Sequence, residues 1–536
     1  MEVDLFTATA VGTLILLLIH YVSKKYEYFL SKPIPCIKPT FFFGSSGPMM
    51  FRKRDMVTHM NTLYYTYPDS KIVGLYDFTS PIVMLRDPEV IKTITVKDFD
   101  FFSDHPAVVN NPDDGESLFG NSLVALRGQK WRDMRATLSP AFTGSKMRRM
   151  FGLVASCAQV MSDFFFAEIK AGKPLEYEMK DIFSRIGNDV IASVAFGIQE
   201  DSLRNQENEF YIKGKEMLNF QSYKIMVKLM VFRFAPRLAQ KLGIDFVDSE
   251  LTNYFKGMIV DNMKQREAHA IIRNDMIQML MEVRKGALKH LKDEQDHKDA
   301  GFATVEESSV GKSAHSRVWT ENELIAQCFL FFLAGFDTVS TCMTFLTYEL
   351  TINPDVQDRL YEEIRTMVQS LDNKPLSYEE LQKMTYMDMV VSEALRKWPP
   401  VVVSDRLCVK DYLCDDGAGT RFMIEKEQTI WIPNYAIHND AKFYPNPSKF
   451  DPERFNEDNR SKINPATYFP FGIGPRNCIG SRLALMEVKL MLFYLLKDFS
   501  LEPTDKTQVP IRLAKSAFTL QAEQGVWVKI KNRSAA

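Results

Sequence analysis

The hydrophobic and polar positions of this chain follow a helical period over most of its length. Apolar residues recur at helical spacing from about Lys130 to Gly286 and from Thr320 to Trp398, and Asn353-Pro354 interrupts the second stretch. A turn is expected around Ser80-Pro81. Shorter runs rich in β-branched residues predict strands at Lys71–Leu75, Ile82–Leu85, Thr429–Pro433 and Gly525–Ile530. The pattern therefore predicts a mainly helical protein with a minor β part.

The first apolar stretch is typical of a membrane span. Leu5 to Val22 is 18 residues long and contains no acid, lysine or arginine. A helix of this length measures about 27 Å, close to the hydrocarbon thickness of an endoplasmic reticulum bilayer. Four lysines follow it, so the positive-inside rule places the rest of the chain in the cytosol. We predict a transmembrane signal anchor over residues 1–23, in preference to a cleaved signal peptide.

The remaining chain divides into a hinge, one large domain and a polar loop. Lys32-Pro33-Ile34-Pro35-Cys36-Ile37-Lys38-Pro39 cannot be helical, so residues 24–40 are expected to form a basic, extended hinge. Residues 41–536 are expected to form a single large domain. Within it, residues 291–316 are polar and contain few large apolar side chains, which is typical of a mobile surface loop.

Composition excludes several classes of protein. The 66 basic and 68 acidic residues give a net charge of −2, so no bulk charge attracts nucleic acid. The seven scattered cysteines do not form a disulfide framework or a common zinc-site spacing. The 39 Phe and 27 Met indicate either a soft, aromatic-lined ligand cavity or simply a large core.

Two windows of the chain carry a local excess of positive charge. Residues 126–150 hold seven basic residues against Asp133, which fits a solvated helix face or a docking surface for an acidic partner. Residues 224–241 hold five basic residues interleaved with apolar ones, and no acid. That second pattern fits a segment that enters a membrane surface, or equally an amphipathic core helix.

Cys478 lies in a sequence that favours a thiolate. It sits in the Gly/Pro-rich stretch Phe471–Gly480, two residues after Arg476 and just before a predicted helix at about Ser481–Lys497. A helix N-terminus and a nearby guanidinium both stabilise a thiolate, and the glycines permit tight turns and close approach of a flat ligand. A thiolate in a dry aromatic pocket is suited to bind haem iron. The alternative is an ordinary buried cysteine in a turn.

Ala334-Gly335-Phe336-Asp337-Thr338 interrupts the apolar helical pattern that runs from Leu324 to about Leu350. A glycine followed by an acid and a hydroxyl predicts a local opening of the helix, with Thr338 and Asp337 able to handle protons. The alternative is a threonine that hydrogen-bonds to a carbonyl of its own helix.

These stretches together resemble one family. Phe471–Gly480 resembles the F-x-x-G-x-R-x-C-x-G haem loop of the cytochromes P-450, and Ala334–Thr338 resembles the family's oxygen-handling helix. Glu393-Ala394-Leu395-Arg396 resembles its E-x-x-R motif, and Phe450–Phe455 the segment that completes the same network. Trp131 and Arg135 resemble its W-x-x-x-R pair. The resemblance covers essentially the whole chain and is greatest to microsomal, xenobiotic-metabolising insect members, although Pro33-Ile34-Pro35-Cys36 replaces the usual P-P-G-P of the hinge.

The resemblance implies a cytochrome P-450 fold, which is α+β and mainly α, with one catalytic domain over residues 41–536 and an N-terminal transmembrane anchor. It implies haem b with Cys478 as axial ligand, catalytic roles for Thr338 and Asp337, and structural roles for Glu393, Arg396 and Arg454. The residues implied to bind the cofactor are Trp131, Arg135, Arg406, Arg476, Phe471, Gly472, Gly480 and His105. The substrate pocket implied by family position includes residues from Phe102 to Phe119, with Leu330, Leu333, Ala334, Val401, Val402 and Phe518.

The activity implied is that of a haem-thiolate monooxygenase, which inserts one oxygen atom of O2 into lipophilic substrates such as plant toxins, insecticides or endogenous hydrophobes. The sequence contains no flavin or nicotinamide motif, so electrons from NADPH must arrive through a flavoprotein reductase, with a membrane b-type cytochrome as a second donor. The implied location is the endoplasmic reticulum membrane, single-pass, with a luminal N-terminus and a cytosolic catalytic domain.

Two alternatives differ in class. A haem-thiolate isomerase or dehydratase would rearrange peroxides without a reductase, and it would need neither Thr338 nor a basic docking face. A non-catalytic haem- or lipid-binding membrane protein would have no need of Asp337 and Thr338. NADPH-independent turnover would identify the first alternative, and an unaffected Thr338→Ala variant would identify the second.

Overall fold

The computed structural model describes residues 5–106, 117–217, 223–285, 301–308, 310, 317–515 and 519–533. In this part of the chain helices predominate and the strands form small sheets, which confirms the mainly α class with a minor β part. The chain divides into two compact units: the first comprises Met1–Pro106 and Val402–Ile437, and the second comprises Ala107–Val401 and His438–Ala536.

The helices and strands are numbered here in chain order. The helices are α1 (Leu5–Lys25), α2 (Gly47–Met50), α3 (Met56–Tyr65), α4 (Pro88–Lys92), α5 (Gly128–Leu138), α6 (Gly144–Lys170), α7 (Met179–Ile191), α8 (Glu209–Met217), α9 (Tyr223–Phe234), α10 (Pro236–Lys241), α11 (Ser249–His269), α12 (Met276–Arg284), α13 (Glu321–Ile352), α14 (Pro354–Leu371), α15 (Tyr378–Gln382), α16 (Thr385–Lys397), α17 (Asn434–His438), α18 (Glu457–Arg460) and α19 (Ser481–Asp498). The strands are β1 (Ile72–Asp77), β2 (Ser80–Leu85), β3 (Glu176–Glu178), β4 (Ser404–Leu407), β5 (Tyr412–Asp415), β6 (Arg421–Ile424), β7 (Thr429–Ile432), β8 (Phe499–Pro503) and β9 (Trp527–Asn532).

A four-stranded sheet of order β1-β2-β7-β4 forms the centre of the first unit. Strands β1 and β2 pair antiparallel, and β2 pairs parallel to β7. The turn between β1 and β2 lies at Phe78-Thr79, where Phe78 has a φ of 51°, and not at the predicted Ser80-Pro81. Pro81 instead stands in β2 opposite Tyr76, near the start of the strand, where a missing N–H is tolerated.

The proline-rich segment is extended, and it packs against the first unit. The backbone N–H of Gly74 donates to the carbonyl of Pro35 at 2.8 Å, and that of Ile37 donates to the carbonyl of Gly74 at 2.9 Å. Ile34 is buried. Because β1 is an edge strand of the sheet, these residues cover part of its free edge.

The central helix of the second unit is α13. It begins at a capping box in which Thr320 and Glu323 satisfy each other's backbone N–H groups, and it ends where Pro354 starts α14. Helices α7, α11, α12, α16 and α19 pack around it. Most of its side chains are buried, so α13 forms the core against which the neighbouring helices bury their apolar faces.

The described chain has two helices long and apolar enough to cross a membrane, α6 (Gly144–Lys170) and α13 (Glu321–Ile352). Both contribute buried side chains to the second unit. Helix α1 differs from them because most of its described apolar side chains are exposed, such as Leu14 at 65% and Leu16 at 68%, whereas Val22 near its end is buried.

Candidate active site

The Cys478 loop is a tight backbone turn that leads into α19. Gly472 and Gly474 have φ values of 78° and 76°, in the left-handed region that side chains other than glycine rarely adopt. The N–H of Asn477 donates to Gly474 O at 2.9 Å, and the N–H of Cys478 donates to Phe471 O at 2.8 Å. The sequence of the loop therefore fixes where the thiol stands.

Gly480 does not need to be glycine for its backbone conformation. Its φ is −92°, and a Cβ added there would meet only Phe142, at an ordinary contact distance of 3.7 Å. Ile479 and Gly480 nevertheless form the turn that leads into α19. Gly480 instead provides a backbone N–H that hydrogen-bonds to the Cys478 sulfur.

The Cys478 side chain lies inside the protein beside accessible space. Burial raises the pKa of its thiol, and the Gly480 N–H and the charge of Arg135 oppose that rise. The side chain is nevertheless accessible to water. Surrounding protein and an accessible surface occur together where a side chain faces an interior cavity, so we interpret the Cys478 environment in this way.

Two arginines and one tryptophan surround this loop. The guanidinium of Arg476 stacks 3.9 Å from the ring centroid of Trp131 and donates to Leu126 O at 2.8 Å. Arg135, which is 3% exposed, donates through Nη1 to Asn477 O at 2.7 Å and through Nη2 to Asn477 Oδ1 at 2.8 Å. The structure thus brings Trp131, Arg135 and Arg476 together with the cysteine loop.

Arg406 and His105 belong to the first compact unit. Arg406 is buried in β4 and donates through Nη1 to Asp405 O at 2.6 Å, and burial lowers its pKa to about 10. His105 Nδ1 lies 2.6 Å from Asp405 Oδ1. Their predicted role toward the cofactor stays a prediction.

Helix α13 carries an accessible stripe in its otherwise buried middle section. Ala334 and Thr338, which are one turn apart, are exposed, whereas Phe332, Phe336 and Val339 are buried. The Thr338 hydroxyl donates to Ala334 O at 2.6 Å. This is the hydrogen bond to a carbonyl of its own helix that the sequence also allowed. The predicted local opening is not present as a break, since α13 is continuous; its hydroxyl side chains bond to helix carbonyls while the backbone stays helical.

Lys180, which the sequence did not single out, binds Asp337. Its Nζ lies 2.7 Å from Asp337 Oδ1, 2.8 Å from Ser340 Oγ and 2.7 Å from Thr341 Oγ1. Lys180 stands at the start of α7, whereas its three partners stand on α13. The acid predicted to handle protons is therefore held by a cation from a neighbouring helix.

The predicted substrate-pocket residues fall in different environments. Phe102 and Val402 are buried in the first unit. In the second unit Leu330 is buried, Leu333 and Phe119 are half-buried, and Ala334 and Val401 are exposed. Phe518 lies outside the described residues.

Glu393, Arg396 and Arg454 form a buried ionic network. Arg396 binds both carboxylate oxygens of Glu393, at 2.7 and 2.9 Å, and neither side chain has measurable exposure. Arg454 Nε lies 3.4 Å from Glu393 Oε1. Arg396 also donates to the carbonyls of His438 and Pro447, so the network ties α16 to the segment that precedes the cysteine loop.

The residues of the second unit fit a haem. A thiol at the end of a glycine turn is a suitable iron ligand, and a small-residue stripe on α13 provides accessible surface. Trp131 and Arg476 provide the ring nitrogen and guanidinium donors that carboxylate groups require. The guanidinium of Arg135 donates to Asn477 and to Glu307 in this structure, so its role toward the cofactor stays a prediction.

The chain is similar in sequence to known proteins of one family. The family model for cytochrome P450 matches residues 34–528, which span both compact units. "Cytochrome P450 9e2" of Blattella germanica is 41% identical over 522 residues, covering 95% of this chain and 94% of the relative. "Probable cytochrome P450 9f2" of Drosophila melanogaster is 41% identical over 519 residues, covering 96% of each. "Cytochrome P450 6k1" of Blattella germanica is 34% identical, covering 96% of this chain and 95% of the relative.

Proposed function

We propose, from the premise that this chain belongs to the cytochrome P450 family and is a haem-thiolate monooxygenase, that Cys478 is its axial ligand and that lipophilic small molecules are its substrates. The single observation that carries the assignment of the ligand is the Cys478 loop. Two left-handed glycines present an exposed cysteine at the N-terminal end of α19.

Haem, when bound, supplies an iron centre at which O2 and two electrons from NADPH are used to convert R–H into R–OH, with water as the second product. The residues of the chain hold this centre and manage protons. Arg135, Arg476 and Trp131 are proposed to bind the haem carboxylates, and Arg406 and His105 to assist them.

Proton delivery is proposed to use Asp337 and Thr338. Thr338 Oγ1 is accessible and donates to Ala334 O, so its oxygen lone pairs remain able to accept a hydrogen bond from a proton donor. Asp337 lies one residue earlier and is tethered by Lys180. We propose that Lys180 positions the Asp337 carboxylate for exchange with solvent, because both side chains are about one quarter exposed, at 24% and 26%.

Substrate class is proposed from the surface that α13 offers. Leu333 and Ala334 precede Thr338 on the same helix and supply accessible apolar surface, and the predicted pocket residue Leu330 is buried one turn before Ala334. An apolar lining with few polar groups selects lipophilic molecules, such as plant toxins, insecticides and endogenous hydrophobes.

Electron delivery and membrane attachment complete the proposal. A flavoprotein reductase is proposed as the NADPH-dependent donor, with a membrane b-type cytochrome as a second donor. Within the basic window 126–150, Lys130 and Arg148 form ion pairs with Glu323 and Glu379, whereas Arg149 is exposed and available to an acidic partner. The exposed apolar side chains of α1 support an anchor in the endoplasmic reticulum membrane, with a luminal N-terminus and a cytosolic catalytic domain.

The test is the absorption spectrum of the reduced, CO-bound protein, with Cys478→Ser and Cys36→Ser prepared in parallel. We expect the wild type and Cys36→Ser to show a strongly red-shifted Soret band, and Cys478→Ser to lose it, because a hydroxyl does not replace a thiolate donor. An unshifted band in folded wild-type protein would remove Cys478 from its role. A red-shifted band combined with product formation that needs no NADPH would instead favour a haem-thiolate isomerase.

A further inference from the structure

Residues 301–308, here called the strap, lie within the stretch 291–316 that the sequence predicts to be a mobile polar loop. The strap is packed within the second unit, whereas residues 291–300, 309 and 311–316 of this stretch lie outside the described residues. Ala303 is 4% exposed, and the Phe302 ring lies 5.1 Å from Phe455 and 5.2 Å from Tyr468, measured between ring centroids. This packing gives the strap a defined position on the protein.

The first end of the strap is seated on α16. The N–H of Phe302 donates to Asp388 Oδ2 at 2.9 Å. Gly301 has a φ of 93°, and a Cβ at this position would overlap the Asp388 carboxylate. The Asp388 carboxylate also binds Lys489 of α19 at 2.8 Å, so this end of the strap rests on an ion pair between α16 and α19, the helix that follows the cysteine loop.

The second end of the strap is bound to the cysteine loop and α5. Glu307 accepts from Arg135 Nε at 3.1 Å and from Arg135 Nη2 at 2.8 Å, a bidentate pair. Asn477 Nδ2 donates to Glu306 O at 3.1 Å, and the carbonyl and Oδ1 of Asn477 both accept from Arg135. The side-chain amide and the backbone carbonyl of Asn477 are thus held by Arg135 and the strap together.

The charge of Arg135 explains why Glu307 matters. Arg135 is 3% exposed, and a buried cation is costly unless an anion and hydrogen-bond acceptors surround it. Glu307 is the carboxylate that the described structure places on this guanidinium. Without Glu307, Arg135 would have a weaker hold on the carbonyl of Asn477, which is the residue directly before Cys478.

We propose that Glu307 is a positioning residue for the proposed thiolate ligand. Through Arg135 and Asn477, the strap fixes the backbone immediately before Cys478 and so holds the Cys478 sulfur at its position in the site. The inference rests on the proposed role of Cys478. It adds to that role a segment, 301–308, that is distant in sequence and that composition alone describes as a loop.

The experiment compares Glu307→Gln with Glu306→Gln in the full-length haem protein. Glu306 is a matched control, because only its backbone carbonyl takes part in the network and its side chain is exposed. In mild urea we expect the red-shifted CO band of Glu307→Gln to convert to the unshifted band at least about threefold faster than in wild type, while Glu306→Gln converts at the wild-type rate. Far-UV circular dichroism of the same samples should show unchanged helix content at the start of each trace.

Two further variants keep a general loss of stability separate from positioning. Glu307→Asp retains the charge and should restore part of the band's lifetime. Gly301→Ala leaves every charge in place but dislodges the first end of the strap, and it should also shorten the lifetime of the band. Equal conversion rates for Glu307→Gln and Glu306→Gln would overturn the inference and leave the proposed function intact. The absence of a red-shifted band in wild type would overturn both.

Discussion

Glu487 is a carboxylic acid that the fold keeps away from water. It stands on α19 and is 3% exposed, and burial raises its pKa to about 8. Among the described residues no group hydrogen-bonds to its Oε1, and a Cβ added to Gly187 of α7 would lie 3.9 Å from this oxygen, in van der Waals contact. At neutral pH the folded protein therefore holds Glu487 in its protonated form, whereas the unfolded chain ionises it.

We expect Glu487→Gln to stabilise the protein at pH 7.5. A pKa raised in the folded state means that the unfolded chain binds fewer protons between pH 4.5 and about 8, so wild-type stability falls as pH rises through this range. Glutamine removes the ionisation, so the free energy of unfolding near neutral pH should increase by an amount on the order of 2–3 kcal/mol. Urea unfolding at several pH values measures it, with the exposed Glu457→Gln as control. The prediction would be contradicted if the difference in free energy of unfolding between Glu487→Gln and wild type were no larger at pH 7.5 than at pH 5.

At the scale of elements, the contact between α7 and α13 carries the ion pair of Lys180 and Asp337. We expect Lys180→Met and Asp337→Asn each to lower the product formed per NADPH consumed by roughly tenfold, because each removes one half of the proposed proton-handling pair. The effects should not add in the double variant, since the two residues act as one unit.

The control for this pair is Lys215→Met, which removes an exposed lysine from α8. A partly exposed ion pair contributes about 1 kcal/mol or less, so all of these variants should fold and keep the red-shifted CO band. If the effects of Lys180→Met and Asp337→Asn add, or if Lys180→Met leaves the product formed per NADPH consumed unchanged, the lysine does not position the acid.

Helices were predictable from the sequence because their periodicity is local. The predicted helix at Ser481–Lys497 corresponds to Ser481–Asp498, and the interruption at Asn353-Pro354 corresponds to the boundary between α13 and α14. Strand β3 was missed inside a predicted helical stretch. It has three residues and pairs with β9, far along the chain, so no local pattern records it.

The same reasoning explains what was predictable about the site. Cys478, Thr338 and Arg135 belong to motifs with fixed local spacing, so the sequence identified them. Lys180 and Glu307 were missed because their partners, Asp337 and Arg135, lie 157 and 172 residues away. Each is an ordinary charged residue in its own neighbourhood, and only tertiary structure gives it a partner.

At the scale of the whole molecule, the boundary between the proposed anchor and the folded protein lies close to α1. Phe29 is buried, its ring lies 5.3 Å from that of Tyr76, and a Cβ on Gly74 would overlap it. Tyr76 Oη donates to Tyr26 O at 2.9 Å. Residues 26–40 therefore belong to the packing of the first unit as much as to the proposed hinge.

We expect deletion of residues 2–25 to release the protein from membranes, at least in part, without loss of the red-shifted CO band. Deletion of residues 2–40 should cost a further 3–5 kcal/mol or so, because Phe29 and Ile34 leave the core and the pairing with Gly74 is lost. Membrane sedimentation and urea unfolding measure the two effects. Equal stability of the two truncated proteins would show that residues 26–40 act only as a tether, and full sedimentation of the shorter deletion would place the anchor elsewhere.

The backbone pairing of Pro35 and Ile37 with Gly74 has a mechanical consequence. A flexible linker would absorb any tilt of α1, whereas a segment that is hydrogen-bonded to the edge of a sheet acts as a rigid coupling. If α1 spans a membrane as proposed, tension or torque that a bilayer of changing thickness exerts on it would pass through residues 26–34 into β1 and load its pairing with β2. The lipid around the proposed anchor would then affect the stability of the first unit as well as the location of the protein.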